Sequence, residues 1–289
     1  MKKALVVDGN SLIYRVFYAS FKQLEFYKQH NLQPVNALKL TLLILLKILQ
    51  STKYDYALVA FDAAKKTLRH DELAEYKAGR KPMPEDLVSQ LPLIREAIGE
   101  LGVKIMSIDG IEADDIIGSY CKNMNEHGVE VDIYSSDKDM LQLVNQNTSV
   151  HLFKTGISDI KKITPQNFNE AYDGLTPNQV TDFKGISGDS SDNLLGVKGV
   201  GPVTAIKLII QYGSLENILE HLDELPPGVK TKFENDKQYA LLCKKLSTID
   251  QNVIRTFVLD EFINKGIDYD KLKAIITKWH FTGFDKHLY

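Results

Sequence analysis

Short apolar runs alternate with longer amphipathic stretches over the first 160 residues of the chain. Four of these runs are bounded by polar residues or glycine, as buried strands are: Ala4–Val7, Ala57–Phe61, Val103–Ile108 and Val131–Tyr134. Helical periodicity fills the intervals, for example over Val35–Leu49, Glu85–Leu101 and Glu112–Glu126. The alternation predicts an α/β fold in which helices cover a mostly parallel central sheet.

The second half of the chain has a different pattern, in which the strand signal fades and short helices dominate. Two Thr-Pro pairs have threonine as N-cap and proline at the first helical position: Thr164-Pro165 and Thr176-Pro177. The glycine-rich turn Gly196–Pro202 opens a predicted helix over Val203–Tyr212. We therefore predict a sheet domain over about 1–160 and a helical module over about 161–289, packed as one unit.

Carboxylates follow the ends of all four predicted strands. Because the carboxyl ends of parallel strands meet at one edge of a sheet, these side chains are expected to lie together. Two further acids stand in the helical part. The nine acids are Asp8, Asp62, Glu112, Asp114, Asp115, Asp137, Asp139, Asp189 and Asp192.

Single acids in such places have simpler explanations. An acid in a first helical turn complements the helix dipole, and Asp189-Ser190-Ser191-Asp192 also fits a helix cap. Caps do not explain acids at successive strand ends, where each carboxylate needs compensation against desolvation and repulsion. Divalent cations supply that compensation, and carboxylates without His or Cys suit Mg²⁺, with Mn²⁺ able to substitute. Two such ions about 4 Å apart are a common means of cleaving a phosphodiester.

The net charge of −3 and the pI of about 6.2 argue at first against a nucleic-acid partner. Of the 38 acidic residues, nine fall in the cluster above, and the remaining 29 face 35 basic residues. If metal ions neutralise the cluster, the rest of the surface is basic enough to meet phosphates. Overall charge therefore does not exclude DNA.

A basic segment, Lys65–Lys81, follows Asp62 and holds six Lys or Arg residues against three acids. A run of charge is usually a solvated helix face. Its position beyond a predicted metal-binding strand end favours phosphate contact instead, with Arg69 among the DNA-binding residues. Tyr76 beside Lys77 is placed to stack on a base.

The turn Gly196–Gly201 is a second candidate for phosphate contact. Glycine-rich turns that open a helix bind phosphate through backbone N–H groups, without reading base sequence. The simpler interpretation is a tight helix–helix connection. The position of the turn just after Asp189 and Asp192 favours DNA binding.

Membrane and disulfide chemistry are not expected. The apolar stretch Leu38–Leu49 is interrupted by two lysines and is shorter than the roughly 20 residues of a membrane span, so it predicts a buried helix. No secretory signal is evident, and Cys121 and Cys243 lack CxxC or Cys/His partners. Both cysteines are predicted to be buried, in a reducing cytoplasmic protein.

Eight motifs occur in an order that resembles the 5′–3′ exonuclease domain of bacterial DNA polymerase I and its stand-alone flap endonuclease relatives. They are Leu5–Ser11, Phe61–Ala63, Arg69-His70, Tyr76–Arg80, Glu112–Asp115, Ser136–Asp139, Gly188–Asn193 and Gly196–Gly201. The resemblance covers residues up to about 220, with a looser likeness to the C-terminus.

The resemblance implies a helical arch at about 64–95, a helix–hairpin–helix-like module and cleavage of DNA 5′ ends, nicks and flaps in replication and repair. One metal would be held by ligands from Asp8, Asp62, Glu112, Asp114 and Asp115, and the other by ligands from Asp137, Asp139, Asp189 and Asp192. Arg15, Tyr76, Lys77 and Arg80 match positions that contact the scissile phosphate or the threaded strand. The hairpin contacts to duplex DNA would come from Gly196, Val197, Lys198, Gly199 and Gly201.

Relatives in this family also bind K⁺ at the hairpin, and a monomer is expected. Members often carry a lysine where this chain has Val203, which puts one phosphate contact in doubt. Two other classes stay open: an acid-lined ribonuclease and a non-catalytic DNA-binding homologue. The sequence does not distinguish a stand-alone enzyme from the excised domain of a polymerase.

Overall fold

The computed structural model describes residues 1–63, 67–154 and 159–288. In these residues a single sheet has six strands: β1 (Lys3–Asp8), β2 (Tyr56–Ala60), β3 (Lys104–Met106), β4 (Glu130–Ser135), β5 (Thr148–Phe153) and β6 (Ile160–Ile163). The spatial order is β3-β2-β1-β4-β5-β6, and only β6 runs antiparallel to its neighbour. The predicted α/β fold with a mostly parallel sheet is confirmed.

Helices surround the sheet and form most of the second half of the chain. The described α-helices are α1 (Gly9–Ala19), α2 (Phe21–Gln29), α3 (Asn36–Ser51), α4 (Arg69–Glu72), α5 (Glu85–Val88), α6 (Leu91–Glu100), α7 (Ala113–Glu126), α8 (Phe168–Ala171), α9 (Val180–Ser187), α10 (Pro202–Tyr212), α11 (Leu215–Glu220), α12 (Pro227–Ser247) and α13 (Tyr269–Lys278). Short 3₁₀ helices occupy Lys138–Leu143, Pro177–Gln179, Leu222–Glu224, Leu259–Phe262 and Asp285–His287.

The two faces of the sheet pack into separate apolar clusters. Leu5 and Val7 of β1 point to one face, which α1, α3 and α6 cover, while Ala4 and Val6 point to the other, against α7. Burial on both faces explains why the strands are continuous apolar runs. A third cluster lies among α9, α10, α11 and α12, and α13 returns to the first cluster through Leu272.

The four predicted strands are confirmed to within a few residues, but β5 and β6 were missed. β6 is an edge strand of sequence Ile-Lys-Lys-Ile, and lysines of this kind protect an exposed edge while hiding the apolar signal. The predicted helix Glu85–Leu101 is wrong as a single element, because it is divided into α5 and α6.

The two predicted Thr-Pro helix starts have different outcomes. Thr176 forms a capping box with Gln179 and leads through a 3₁₀ turn into α9. Thr164-Pro165 opens no helix, since the next one begins at Phe168 with Asn167 as its N-cap.

The apolar segment at Leu38–Leu49 lies in α3 and is largely buried in the core, as predicted. Among the described residues no helix combines the length and apolar character that a membrane span requires. Cys121 and Cys243 are both free thiols, and the prediction that both are buried is confirmed.

Candidate metal centre and nucleic-acid interface

A cavity of about 1070 Å³ opens at the carboxyl edge of the sheet. Six of the nine predicted acids line it: Asp8, Asp62, Asp114, Asp137, Asp139 and Asp189. The parallel register causes this convergence, because Asp8 at the end of β1 pairs with Ala60 at the end of β2 while Val7 pairs with Tyr134 of β4. Glu112, Asp115 and Asp192 lie behind the cavity wall and are described below.

The local backbone fixes the first of these carboxylates. Asp8 is both the last residue of β1 and the N-cap of α1, so one of its oxygens accepts the N–H of Ser11 at 2.9 Å. The other oxygen accepts the hydroxyl of Ser135 at 2.7 Å. Asp137 is the N-cap of the 3₁₀ helix at Lys138–Leu143 and accepts the N–H of Asp139 at 2.9 Å.

Asp62 is oriented by groups from two other elements. Its Oδ1 accepts the N–H of Ala113 at 2.8 Å, and its Oδ2 accepts the side-chain amide of Asn10 at 2.8 Å. Asn10 in turn accepts the N–H of Asp62 at 3.2 Å. The sequence analysis did not single out Asn10, which shares the cavity wall with the acids.

The crowding of carboxylates changes their acidity. Burial, with repulsion from Asp137 and Asp62, raises the pKa of Asp8 to about 7 despite its two hydrogen bonds. Burial and Asp137 raise the pKa of Asp139 to about 7 even though Lys184 acts in the opposite direction. Desolvation, reinforced by Asp137 and Asp8, raises the pKa of Asp114 well above its ordinary value.

These properties fit bound divalent cations. Asp8 and Asp139 are only 5% and 9% exposed, so their charges need a partner that water does not supply. Ligand oxygens of Asp139, Asp189 and Asp192 all lie within 4.8 Å of one another. The donors are carboxylate oxygens, which hard ions such as Mg²⁺ and Mn²⁺ prefer.

A lysine that the sequence analysis missed lies inside this acid cluster. Lys184, in the last turn of α9, contacts Asp139 and lies 2.5 Å from Asp189 Oδ2. Although burial opposes it, Lys184 together with Ser191 lowers the pKa of Asp189 to about 2. The available signal was the position of Lys184 five residues before Asp189, on a predicted helix.

Three residues of the basic segment meet two of the remaining acids, Glu112 and Asp192. Lys77 Nζ lies 2.8 Å from Glu112 Oε2, and Arg80 lies 2.7 Å from Asp192 Oδ1. The Tyr76 hydroxyl donates to Asp192 Oδ2 at 3.0 Å and lies 3.3 Å from Glu112. Lys77 adopts a left-handed backbone with φ of 57°, and its N–H donates to the Asp192 carbonyl. The segment is thus fixed against both the sheet and the helical part.

Two expectations for this segment need comment. The idea that the Tyr76 ring stacks on a base is wrong for this conformation, because the side chain is only 2% exposed and packs with Leu194. Lys65 and Lys66, with the beginning of the predicted arch, lie outside the described residues. From Leu68 to Val88 the described part of the arch contains two short helices, α4 and α5, joined by turns.

Arg69 and Asp115 form an internal ion pair away from the cavity. Two guanidinium nitrogens of Arg69 lie 2.7 Å from the two carboxylate oxygens of Asp115. Arg69 also donates to Glu112 and to the carbonyls of Leu246 and Thr248. Its donors therefore face the protein, and Arg69 does not line the cavity that holds the six aspartates.

Glu112 is the N-cap residue of α7 and has several cationic neighbours. Burial alone would raise its pKa, but Lys77 and Arg69 together hold the pKa of Glu112 below its ordinary value. Its oxygens also accept from Thr67 at 3.1 Å. Glu112 is therefore an ionised carboxylate that anchors the basic segment behind the cavity.

Arg15, for which the resemblance implies contact with the scissile phosphate or the threaded strand, lies in the cavity wall. Its guanidinium donates to Ser136 Oγ at 2.7 Å and to the Phe153 carbonyl at 3.0 Å. Tyr14 and Tyr18, both in α1, also line the cavity and were missed. Their apolar rings gave no signal distinct from a helix face that packs on the core.

The glycine turn has the predicted place at the start of α10, with Gly201 as N-cap and Pro202 in the first turn. Gly196 and Gly199 have φ of 65° and 77°, whereas Gly201 has φ of −88°. Gly201 therefore does not depend on the left-handed region that favours glycine, and a Cβ atom there would meet nothing within 4 Å. The N–H of Lys198 donates to Asp236 at 2.7 Å.

The side chains around the turn divide into buried and exposed sets. Val197 and Val200 are 1% and 5% exposed and pack into the third cluster, so they hold the turn in place. Val203, which replaces the lysine frequent in the family, is 69% exposed. It offers no charge to a phosphate.

A doubly covered, mostly parallel sheet whose carboxyl edge holds converging acids beside lysine and arginine is typical of a metal-dependent nuclease. Residues 3–173 match the family model of the 5′-3′ exonuclease N-terminal resolvase-like domain, and residues 175–270 match that of the 5′-3′ exonuclease C-terminal SAM fold. The chain belongs to the 5′-3′ exonuclease family, and it is a nuclease.

Known proteins are similar over most of the chain. A 5′-3′ exonuclease of Mycoplasma pneumoniae is 40% identical over 279 residues, which cover 96% of each chain. DNA polymerase I of Bacillus subtilis is 44% identical over 249 residues, which cover 86% of this chain and 28% of that protein.

Solved structures of phage T5 proteins share the fold. The T5 D15 flap endonuclease, in a pseudo-enzyme-product complex with DNA and metal ions, has a TM-score of 0.70, 21% identity and coverage of 96% of this chain and 98% of that one. The zinc-bound T5 5′-exonuclease has a TM-score of 0.68 and 20% identity, over 96% of this chain and 99% of that one. At this identity the likeness shows the fold alone.

Proposed function

We propose that the protein is a structure-specific 5′ nuclease that hydrolyses DNA phosphodiesters at 5′ ends, nicks and 5′ flaps by two-metal-ion catalysis. The convergence of six aspartates in one cavity, with Lys77 and Arg80 at its wall, carries the proposal. The T5 flap endonuclease, which has the same fold, was solved in a complex with DNA and metal ions. That complex supports DNA as the proposed substrate and metal ions as the proposed cofactor.

The acids divide into two proposed ligand sets. The first metal would be held by Asp8, Asp62, Asp114 and, behind them, Glu112. The second would be held by Asp137, Asp139, Asp189 and Asp192, with water completing both shells. We assign Asp115 a positioning role, because both of its oxygens already accept from Arg69.

The metal is proposed to be Mg²⁺, with Mn²⁺ able to replace it. Divalent ions supply positive charge that favours ionisation of the attacking water and stabilises charge developing on the phosphate. The aspartates hold and orient that charge. The raised pKa values of Asp8 and Asp139 show that their negative charges lack sufficient compensation in the protein alone, and a bound cation would supply it.

Lys77 and Arg80 are proposed to act on the phosphate itself. In the structure each is paired with an acid that we assign to the metal shells, Glu112 or Asp192. When those acids are neutralised by cations, the two side chains become available to the scissile phosphate. Arg15, which also lines the cavity, would contact the same strand, and Tyr76 positions Glu112 and Asp192 through its hydroxyl.

The helical part beyond about residue 160 is proposed to hold the duplex. Backbone N–H groups of Gly199 and Gly201, together with the Lys198 side chain, would meet phosphates independently of base sequence, and K⁺ would support the turn. We propose a monomer that acts in the cytoplasm in DNA replication and repair, with removal of primers or flaps as its role. Relatives named DNA polymerase I are consistent with that role.

The substrate assignment is tested with end-labelled flap, nicked and single-stranded DNA, and with RNA flaps of identical sequence. We expect Mg²⁺-dependent cleavage near the flap junction and none in EDTA. Faster cleavage of RNA would favour the acid-lined ribonuclease. Binding of flap DNA without cleavage in either Mg²⁺ or Mn²⁺ would favour a non-catalytic homologue.

A further inference from the structure

The ammonium group of Lys184 is held in the middle of one proposed ligand set. It contacts Asp139 and lies 2.5 Å from Asp189, two of the three acids whose oxygens come within 4.8 Å of one another. The Lys184 side chain is only 8% exposed, so this contact is part of the interior. An exposed lysine would form such pairs at little energetic cost or gain, whereas a buried one is fixed by them.

The backbone leaves Lys184 little alternative. It lies in α9, and the next residue, Gly185, approaches α12 so closely that an added Cβ would lie 3.0 Å from the Ala240 carbonyl. This close packing sets the height at which the Lys184 side chain enters the cavity. The aliphatic stem is buried, and the charge ends between the two acids.

The same oxygens cannot serve the ammonium and a divalent ion at once. A magnesium ion requires ligand oxygens at about 2.0–2.1 Å in near-octahedral arrangement, which leaves no room for an ammonium on the same lone pairs. Two cations at that distance would also repel each other strongly in a buried site. Binding of the ion through these two oxygens and the present position of Lys184 are therefore mutually exclusive.

We propose that Lys184 is an internal counter-ion of the second metal centre, which holds Asp139 and Asp189 together without metal and must leave them when a divalent cation binds. Lys184 thereby weakens binding of the second ion and sets the concentration at which it enters. This inference rests on the proposed metal centre but concerns a residue outside its ligand set.

The test is calorimetric titration of the full chain with Mn²⁺ at pH 8, without DNA. Lys184→Met keeps the buried stem and removes the charge. We expect the weaker of the two binding events to become at least about tenfold tighter, because the ion no longer displaces a buried charge. Lys184→Arg keeps the charge, although the guanidinium is larger and planar, so it should not reproduce the tighter binding of Lys184→Met.

Lys138→Met is the matched control, because Lys138 lines the same cavity and is exposed. Its loss removes one positive charge from the cavity without removing a counter-ion from Asp139 and Asp189, so the Mn²⁺ affinity should change by less than about threefold. A gain equal to that of Lys184→Met would attribute the effect to overall charge and would overturn the inference.

Thermal unfolding supplies a second readout that a purely structural role would not produce. In EDTA, Lys184→Met should melt below the wild type, because two buried acids lose their counter-ion. With saturating Mn²⁺ the difference in melting temperature between the variant and the wild type should disappear or change sign. The same results are expected for Lys184→Gln, which replaces Lys184→Met in both measurements if the methionine variant does not fold.

The outcomes are distinct. Unchanged or weaker Mn²⁺ binding by folded Lys184→Met, while the wild type binds the ion, would overturn the inference and leave the proposed nuclease function intact. Absence of Mn²⁺ binding by the wild type would overturn the metal centre itself and the inference with it.

Discussion

Replacement of Asp8 by asparagine is expected to stabilise the metal-free protein. Asp8 is 5% exposed, and its neighbours Asp62 and Asp137 repel its charge. Asparagine has nearly the same shape and keeps an oxygen for the N–H of Ser11 and a polar group toward Ser135. The substitution therefore removes the buried charge with little change in packing.

The magnitude follows from the raised pKa. The pKa of Asp8 is about 7 in the folded protein and 3.8 as the ordinary value. Since the folded state binds the proton more tightly, stability falls as the pH rises from about 4 to 7, by about 1.4 kcal/mol per pKa unit. The Asp8 carboxyl thus lowers the free energy of unfolding by about 4 kcal/mol at pH 8, where it is ionised, and by less than about 2 kcal/mol at pH 5, where the folded protein keeps it protonated. Asp8→Asn should recover much of this free energy at pH 8.

The assay is urea denaturation of the wild type and Asp8→Asn in EDTA, at pH 8 and pH 5. The variant should be more stable at pH 8, and the advantage should shrink at pH 5. Saturating Mg²⁺ should reverse the order, because the ion stabilises only a site with its full ligand set. A variant that is less stable than the wild type in EDTA at pH 8 would refute the reasoning.

Three further results are expected. Lys77→Met should lower the single-turnover cleavage rate by about 100-fold while duplex affinity changes less than about threefold, because its charge acts on the developing transition state; equal losses in rate and affinity would make it an ordinary binding contact. Gly199→Ala should lower the free energy of unfolding by about 1 kcal/mol, because the backbone at Gly199 has a positive φ. Gly201→Val, in contrast, should fold normally and bind several duplex sequences more weakly. Unchanged duplex affinity of Gly201→Val would move the DNA-binding surface away from the turn. In calorimetry, Mn²⁺ affinity should fall as the pH drops below 7, since Asp8 and Asp139 then take up the protons that the ion must displace; a flat profile between pH 6 and 8 would contradict the raised pKa values.

The sequence predicted the acid cluster because the rule that places it depends on topology alone. Asp8, Asp62 and Asp137 follow apolar runs, and the ends of parallel strands meet wherever the helices pack. The family resemblance strengthened the same assignment for Asp189 and Asp192. Neither the pattern nor the resemblance distinguished acids that line the cavity from acids that pair with basic side chains. Asp115 belongs to the same motif as Asp114, but both of its carboxylate oxygens accept from Arg69.

The missed features depend on tertiary packing. Lys184 is one lysine among many in the sequence until α9 directs it between two acids. The sequence predicts that Tyr76 stacks on a base. In the structure its hydroxyl hydrogen-bonds with the carboxylates of Glu112 and Asp192, and the ring is buried. Gly199 and Gly201 cannot be told apart from the sequence pattern. The structure separates them, because Gly199 has a positive φ that favours glycine and Gly201 has a negative φ that other residues also adopt.

The central claim is that the aspartates of the cavity hold the ions that cleave DNA, and it is tested by single-turnover cleavage of a 5′-labelled flap. Asp114→Asn changes an acid of the cavity, and Asp132→Asn serves as the control because it changes a buried acid of β4 that pairs with His151 instead. We predict that Asp114→Asn binds the flap but cleaves it at least about 100-fold more slowly across a Mg²⁺ titration, whereas folded Asp132→Asn cleaves at nearly the wild-type rate. Wild-type cleavage by Asp114→Asn, or cleavage by the wild type in EDTA, would contradict the account.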